Sequence, residues 1–264
     1  MLKKFIKDTK KYFVYTVYAA KARLKAEVEG SYLNWIWWIL EPICYMLIYA
    51  LVFGFIFGAT EQYYIAFVFI GVTFWQFFNK NIKKSVKLIR SNKAIVTKIY
   101  VPKFVLILTQ MFVEGFKMLI SFGIVIVLMI IFQVPISFNI FWIIAVLIVL
   151  WVFTFGLMCI LTHFGVFVED LEKIVTIVLR LVFYISGVMY DIADRLGKAH
   201  EVIASILNDV NPMAFLMTAA RKCLLYSSSP DLLLLLGWLV VSVILCLIGI
   251  HLIYKNENGY VKVI

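Results

Sequence analysis

The chain has 264 residues, of which 64% are hydrophobic and only 15% are charged, and its mean hydropathy is +0.99. A soluble domain of this size does not carry so much apolar surface, so the composition predicts an all-α integral membrane protein. The net charge of +10 does not indicate nucleic-acid binding, because Lys and Arg are concentrated in two segments that favour the cytoplasmic side of a bilayer. The four cysteines form no CxxC motif, so neither a disulfide framework nor a metal site is predicted.

The N-terminal third of the chain begins with a predicted interfacial helix. Residues 1–30 contain eight Lys or Arg around a narrow apolar stripe, as in a helix that lies in the plane of the inner membrane interface. The first membrane span is predicted at 33–58. Its Trp38, Tyr45 and Tyr49 share one helical face. An aromatic stripe on a membrane helix usually serves packing, and the lining of a conduit is the alternative interpretation.

A short second span at 64–78 leads into a basic segment at 79–103, named here the basic elbow. The elbow has eight Lys or Arg and no acidic residue, which predicts a cytoplasmic location. Its first half is expected to continue the preceding helix, and Asn92 is expected to cap a short helix that follows. That short helix is predicted to expose an apolar surface with a basic rim, made by Lys93, Ala94, Ile95, Val96 and Lys98. Two interpretations are open: a loop held near anionic lipid, or a docking surface for a cytoplasmic partner.

Four more spans are predicted at 104–132, 138–161, 172–190 and 232–254. The fifth of the six is unusual, because Arg180 and Tyr184 belong to a polar face on an otherwise apolar helix. Segment 191–231 is predicted to lie outside as two short helices. Its apolar face, with Phe215 and Leu216, is expected to dip into the outer leaflet and narrow an exit. Six spans make residues 1–264 one transmembrane domain with both termini in the cytoplasm.

Four charged residues are predicted to lie within the bilayer: Glu41, Glu114, Lys117 and Arg180. Two acids and two bases sum to zero, which suggests that they neutralise one another. Glu114 and Lys117 are three residues apart on one helix and are expected to pair locally. Similar depth then favours a pair between Glu41 and Arg180. The competing hypothesis is that Arg180 faces open water and guides anionic substrate.

The order of several segments resembles a known family. An interfacial helix is followed by SYLNWIWWILEP, by an elbow that ends in KIYVPK, by FVEDLEKIVTIVLRLVFYISGVMY and by NPMAFLMTAARKCLL. In this order the chain resembles the permease subunit of type-2 ABC exporters, in the branch that moves teichoic acids, capsules and O antigens. The resemblance extends over essentially the whole chain.

The resemblance implies a homodimer of six-span subunits in the bacterial plasma membrane. It implies a separate ATPase subunit, which holds ATP and magnesium and contacts the interfacial helix and the short helix of the elbow. It implies two short outer helices between spans five and six. It also implies an export path for lipid-linked polysaccharide, lined here by Trp38, Tyr45, Tyr49, Arg180 and Tyr184. Independently, the chain has no GxxxxGK[ST] loop, so ATP hydrolysis is expected on a partner.

Other functions remain as alternatives. A permease of a related ABC exporter for drugs, peptides or lipids is the nearest one. A stand-alone channel or carrier is a further hypothesis, but the chain lacks the internal repeat typical of secondary transporters. An integral-membrane lipid or glycan enzyme is the last alternative. Its candidate groups are Asp191, Asp194 or the polar cluster from His163 to Glu172. That cluster fits no common ligand spacing, so no catalytic residue is assigned.

Overall fold

The computed structural model describes residues 2–29, 33–56, 58, 61–192 and 201–263. The helices are α1 (Leu2–Glu29), α2 (Asn34–Tyr49), α3 (Tyr64–Ser91), α4 (Lys93–Lys98), α5 (Lys103–Ile131), α6 (Trp142–Phe167), α7 (Leu171–Ile185), α8 (Glu201–Val210), α9 (Pro212–Leu224) and α10 (Leu232–Val263). A π-helical segment, Ala50–Ile56, extends α2, and a 3₁₀ turn, Phe138–Phe141, precedes α6. All the regular elements of the described residues are therefore helical, as the composition predicts.

Four helical stretches are long and apolar enough to cross a membrane: Asn34–Phe55, Lys103–Ile131, Phe138–Phe167 and Leu232–Glu257. They match predicted spans one, three, four and six. Helices α8 and α9 add a fifth candidate only if they are taken as one span bent by 98°. Predicted spans two and five do not count as membrane-crossing helices by length and composition. Helix α3 ends in a row of lysines, and α7 has only 15 residues. The described chain is thus a multi-pass membrane protein with four or five candidate spans.

Helix α3 lies at the centre of the fold. It contacts α2, α5, α6 and α7, and its segment from Ala66 to Phe78 is buried almost throughout. Behind it, α6 packs along α10 at positions where small residues let the two backbones approach. A Cβ atom on Gly249 would lie 2.5 Å from the Cβ atom of Cys159, so this crossing requires glycine. These contacts form one continuous apolar core.

The N-terminal amphipathic helix is confirmed as α1, and much of its apolar side packs on the protein itself. The ring centroids of Phe5 and Phe104 are 4.9 Å apart, and those of Phe13 and Phe112 are 6.1 Å apart. Helix α1 therefore docks along α5. Its polar side has a contact with the C-terminal helix, where the hydroxyl of Tyr254 donates to Asp8 Oδ2 at 2.8 Å.

The short helix of the basic elbow forms at α4, directly after Asn92, as predicted, but the predicted cap is wrong: the Asn92 side chain makes no capping hydrogen bond, because its oxygen accepts from Arg23 instead. The predicted exposure of Val96 is wrong: this side chain is 6% exposed and joins the core, because α4 folds back against α3. Ala94 is exposed and Ile95 is half-buried. The larger exposed apolar residues come immediately after the helix, where Ile99 and Tyr100 are 59% and 62% exposed.

The segment before α10 also differs from its prediction. Asn211 does cap α9, since its side-chain oxygen accepts from the N–H groups of Met213 and Ala214. However, Phe215 and Leu216 do not face lipid. They are 4% and 0% exposed, because α9 packs against α3 and α6 inside the protein. The exposed apolar side chains of this segment lie on α8 instead, namely Val202, Ile203, Ile206 and Val210.

Candidate functional site

A cavity of about 440 Å³ opens between α2, α3 and α7. Four of the five residues that the sequence assigns to a path, Tyr45, Tyr49, Arg180 and Tyr184, line it. The aromatic face of the first predicted span and the polar face of the fifth therefore meet in one space. This cavity is the candidate functional site.

Aromatic rings form a continuous wall in the cavity. Tyr45 stacks on Tyr49 with ring centroids 6.0 Å apart, and Tyr49 lies 5.9 Å from Phe183. Phe183 in turn lies 5.3 Å from both Trp75 and Tyr184. Such a wall presents flat apolar faces with hydroxyl groups at their edges. That combination suits ligands whose own faces are apolar and whose rims are polar, as in sugar rings.

Trp38 does not line the main cavity. Its ring packs edge-on against Phe116 of α5, and the ammonium of Lys117 lies 5.8 Å from its centroid. It borders a neighbouring void of about 40 Å³, which shares Glu41, Gln76 and Lys80 with the main cavity. The amide nitrogen of Gln76 is buried between the two spaces without a hydrogen-bond partner.

The charges in the main cavity are three basic residues, Lys80, Lys83 and Arg180, and one acid, Glu41. The carboxylate of Glu41 accepts from the ammonium of Lys80 at 2.7 Å. The predicted pair between Glu41 and Arg180 is therefore wrong: the described residues contain no ion pair between them, although both line the same space. The site keeps an excess of positive charge as a result.

Glu114 is only 2% exposed and is held by several donors. Its carboxylate accepts from Lys84 at 2.7 Å and from the amide of Gln110 at 3.1 Å. The predicted local pair with Lys117 is present but longer, at 3.8 Å. Lys117 instead makes its close contact with Glu27 of α1, at 2.7 Å. The buried carboxylate thus ties α5 to α3, and Lys117 ties α5 to the interfacial helix.

A row of lysines on α3 is the feature that sequence reasoning missed. Lys80, Lys83, Lys84 and Lys87 recur at intervals of three and four residues, so they share one face of the helix. Three of them reach acids on other helices: Lys80 binds Glu41, Lys84 binds Glu114 and Lys87 binds Glu172. The basic charge of the elbow's first half therefore points towards the site. The regular spacing was visible in the sequence, but the direction of the face was not.

A buried arginine, Arg221, anchors the turn that follows α7, and no pattern in the sequence indicates its depth. Arg221 is 3% exposed, and its guanidinium lies 3.5 Å from the centroid of Phe67. It donates to the carbonyls of Phe67, Gly187 and Val188 at 3.2, 2.9 and 2.8 Å. The last two carbonyls belong to the turn that follows α7. Arg221 therefore joins α9 to α3 and to the end of the helix that carries Arg180.

The groups proposed for an enzyme do not form a catalytic cluster. His163 Nδ1 lies 2.8 Å from the hydroxyl of Tyr260, away from the acids of the loop that follows. Of those acids, Glu169 contacts Arg90 and Asp170 contacts Lys173. Asp194 lies outside the described residues. No group of three or more metal-ligating side chains occurs within the described ranges.

Comparison with known proteins decides between these possibilities. Residues 19–225 match the family model described as ABC-2 type transporter, which is more than half of the chain. The chain belongs to the ABC-2 type transporter family. This ABC-2 type transporter is a transport subunit rather than an enzyme, and its family implies an ATPase partner.

Individual relatives agree with the family. The chain is 29% identical over 223 residues to the O-antigen export system permease protein RfbA of Myxococcus xanthus, a match that covers 84% of each protein. It is 26% identical over 168 residues to a protein of the same name from Klebsiella pneumoniae, which covers 63% of this chain and 65% of that protein. A second Klebsiella pneumoniae protein of that name is 25% identical over 200 residues, or 75% of each chain.

Proposed function

We propose that this ABC-2 type transporter is the membrane subunit of an ATP-driven exporter of lipid-linked polysaccharide, of the O-antigen, capsule or teichoic-acid type. The names of its relatives support an exported glycan. The observation that carries the proposal is the cavity itself, where Tyr45, Tyr49 and Phe183 form an aromatic wall beside Arg180 and Lys83. Aromatic faces suit sugar rings, and the surplus of positive charge suits an anionic polymer or carrier.

The proposed topology has six spans, with both termini on the cytoplasmic side of the bacterial plasma membrane. In it, α3 and α7 cross as the second and fifth spans. Helix α7 covers roughly 22 Å at about 1.5 Å per residue, so the turn after it is needed to cross a hydrocarbon layer of about 30 Å. The excess of Lys and Arg in α1 and in the elbow supports this orientation.

A homodimer is part of the proposal. The cavity is open on one side, and the helices that border it expose apolar residues there: Leu47, Ile48 and Leu51 on α2 and its extension, and Ile177, Val178 and Leu181 on α7. A second copy that packs on these faces closes the cavity into a path between two subunits. Membrane lipid covers the same faces in the separate subunit.

The first prediction tests the glycan path. Replacing both Tyr45 and Tyr49 with alanine removes most of the aromatic wall without removing a fully buried side chain, since Tyr45 is 43% exposed and Tyr49 half-buried. We expect cell-surface polysaccharide to fall by about tenfold or more. The reason is that a loss of ~1.4 kcal/mol of binding free energy between the glycan and the path corresponds to a tenfold weaker interaction. Surface polysaccharide is measured by antibody staining, and the variant's ATPase association by co-purification.

The matched control is Trp35→Ala together with Trp37→Ala, two exposed aromatic residues on the same helix but outside the cavity lining and outside the proposed dimer face. We expect this control to keep export. Normal export by the Tyr45→Ala, Tyr49→Ala variant contradicts the proposed path. Loss of efflux of a lipophilic drug or peptide, with polysaccharide unchanged, supports instead the related exporter of drugs, peptides or lipids.

The docking surface for the ATPase is proposed at α4 and the two residues that follow it. Ala94 and Ile95 remain accessible there, and Ile99 and Tyr100 add a larger exposed apolar surface between Lys98 and the core. The site is tied to the rest of the protein, because the hydroxyl of Tyr100 donates to Glu257 of α10 at 3.4 Å. In this proposal, the contact passes force from the bound ATPase through the elbow to α10.

The second prediction tests this surface. A carboxylate in an apolar interface pocket removes most of the binding energy, so we expect Ile99→Asp to abolish co-purification of the ATPase and Ile95→Asp to weaken it. Ile136→Asp is the control, because Ile136 is 78% exposed in the connection between α5 and α6. Full ATPase stoichiometry in the Ile99→Asp variant rules out docking at this surface.

A further inference from the structure

A second cavity lies on the cytoplasmic side of the candidate site. It has a volume of about 470 Å³ and is bordered by α1, α3, the start of α5 and the start of α7. Four of its lining residues are cations, Arg23, Lys83, Lys84 and Lys87, and only Glu172 is an acid. Lys83 also lines the aromatic cavity, so the two spaces share this residue.

The cations of this basic cleft are incompletely neutralised. Lys84 and Lys87 have carboxylate partners in Glu114 and Glu172. Arg23 has only neutral ones, since it donates to Asn92 Oδ1 at 2.6 Å and to Gln110 Oε1 at 3.2 Å. Lys83 makes no ion pair within the described part of the chain. Among the described residues, Arg23 and Lys83 therefore have no carboxylate at ion-pair distance.

Burial makes the charge of Arg23 costly. Desolvation lowers the pKa of the Arg23 guanidinium, because a cation is less stable away from water, and nearby Tyr15 and Glu27 only partly oppose the effect. Guanidinium and ammonium groups that converge on one space are the usual means by which proteins hold phosphate. The amphipathic helix α1 places Arg23 at the level where lipid headgroups lie.

We propose that the basic cleft is a phosphate-binding site, occupied by the phosphate of a lipid headgroup that reaches it from the inner leaflet. Lys83 and Lys87 provide the accessible ammonium groups, and Arg23 supplies the fixed positive charge behind them. A phosphate held there lies beside the mouth of the aromatic cavity, which Lys83 also borders. The inference goes beyond the proposed function, because binding of the phosphate does not depend on which polymer is exported.

The test measures lipid retention by native mass spectrometry of the purified full-length protein in detergent. We expect the protein to retain dioleoyl phosphatidic acid and not dioleoyl phosphatidylcholine. Lys83→Gln with Lys87→Gln is expected to raise the Kd for phosphatidic acid at least about tenfold. Both side chains are exposed on the cleft face, so the variant is expected to fold, which its size-exclusion profile checks.

The control variant, Lys98→Gln with Lys173→Gln, removes the same charge from exposed positions outside the cleft. It is expected to retain phosphatidic acid normally. In a second experiment, inorganic pyrophosphate is titrated into lipid-free protein. Binding that depends on Lys83 and Lys87 in the same way supports a phosphate site here, but it assigns the site to free phosphate rather than to a lipid headgroup. Unchanged retention in the cleft variant, or an equal loss in the control, overturns the proposal.

Discussion

Replacing Arg221 with leucine is expected to abolish the folded protein, whereas the same change at its neighbour Lys222 is expected to leave it intact. The guanidinium of Arg221 satisfies the carbonyls of Phe67, Gly187 and Val188 at a position that is 3% exposed. Leucine leaves all three carbonyls without these donors in the protein interior. Each buried group left unsatisfied costs about 1–3 kcal/mol, so the loss of three donors removes a large share of the roughly 5–15 kcal/mol by which a folded protein is stable.

The measurement is the yield of monodisperse protein after detergent extraction, followed by its thermal unfolding midpoint. Lys222 is exposed, so it controls for the loss of one positive charge on the same helix. Arg221→Lys is expected to give an intermediate result, because one ammonium group does not reproduce the planar arrangement of three N–H donors. A yield and midpoint for Arg221→Leu equal to those of Lys222→Leu exclude this anchoring role.

The anchor also matters for the candidate site. Gly187 and Val188 lie in the turn after α7, and the hydroxyl of Tyr64 holds the next residue of that turn by donating to Met189 O at 2.7 Å. The C-terminal end of α7 is therefore fixed to α9 and to the start of α3. Because α7 carries Arg180 and Phe183 into the cavity, these contacts connect α9 to the cavity wall.

Helical periodicity indicated which side chains of the candidate site share a helical face. Tyr45 and Tyr49 are four residues apart, and Arg180 and Tyr184 likewise, so each pair lies on one helical face whatever the fold. The structure brings those two faces to a common cavity. Periodicity does not indicate which residues of α3 line the cavity, however. Trp75 comes from a segment of α3 that is apolar all round, where the sequence distinguishes no face.

The error over Glu41 has a specific cause. The predicted second span ends at residue 78, which places Lys80 in the basic elbow and not among the charges within the bilayer. Arg180, at a depth similar to that of Glu41, is then the remaining cation for Glu41 to pair with. In the structure α3 continues without interruption to Ser91, and Lys80 approaches Glu41 to 2.7 Å. Helix ends are poorly defined by composition when lysines follow an apolar run, because the long lysine side chain extends back to a polar partner.

The burial of Phe215, Leu216 and Arg221 has a different explanation. The segment between α7 and α10 is polar on average, which suggested a surface position outside the membrane. Its α9 helix nevertheless packs between α3 and α6, so its apolar residues and one arginine enter the core. Local composition does not reveal such packing, since the partners lie in other helices and turns: Arg221 donates to Val188, 33 residues away, and to Phe67, 154 residues away.

The second large effect is expected at Gly165, where α6 crosses the inner half of α3. A Cβ atom at this position would lie 2.1 Å from the carbonyl oxygen of Val86 and 2.8 Å from its carbonyl carbon. Those atoms are backbone, so no side chain is available to rotate away. Hydrogen bonds on both sides fix the crossing, from Thr162 Oγ1 to Ser85 O at 3.1 Å and from Arg90 Nη2 to Val166 O at 2.9 Å.

Gly165→Ala is therefore expected to force the two helices apart and to destabilise the protein by about 1–3 kcal/mol, the range for overpacked cores. Gly123→Ala on α5 is the control, because no atom lies within 4 Å of a Cβ built there. Alanine is the better helix former, so this control is expected to keep or slightly raise the thermal midpoint. Equal midpoints for the two variants contradict the close crossing.

Because Lys83 and Lys87 lie on the same half of α3 as this crossing, a shift of the helix also moves the basic cleft. The Gly165→Ala variant is therefore expected to lose phosphatidic acid retention along with stability.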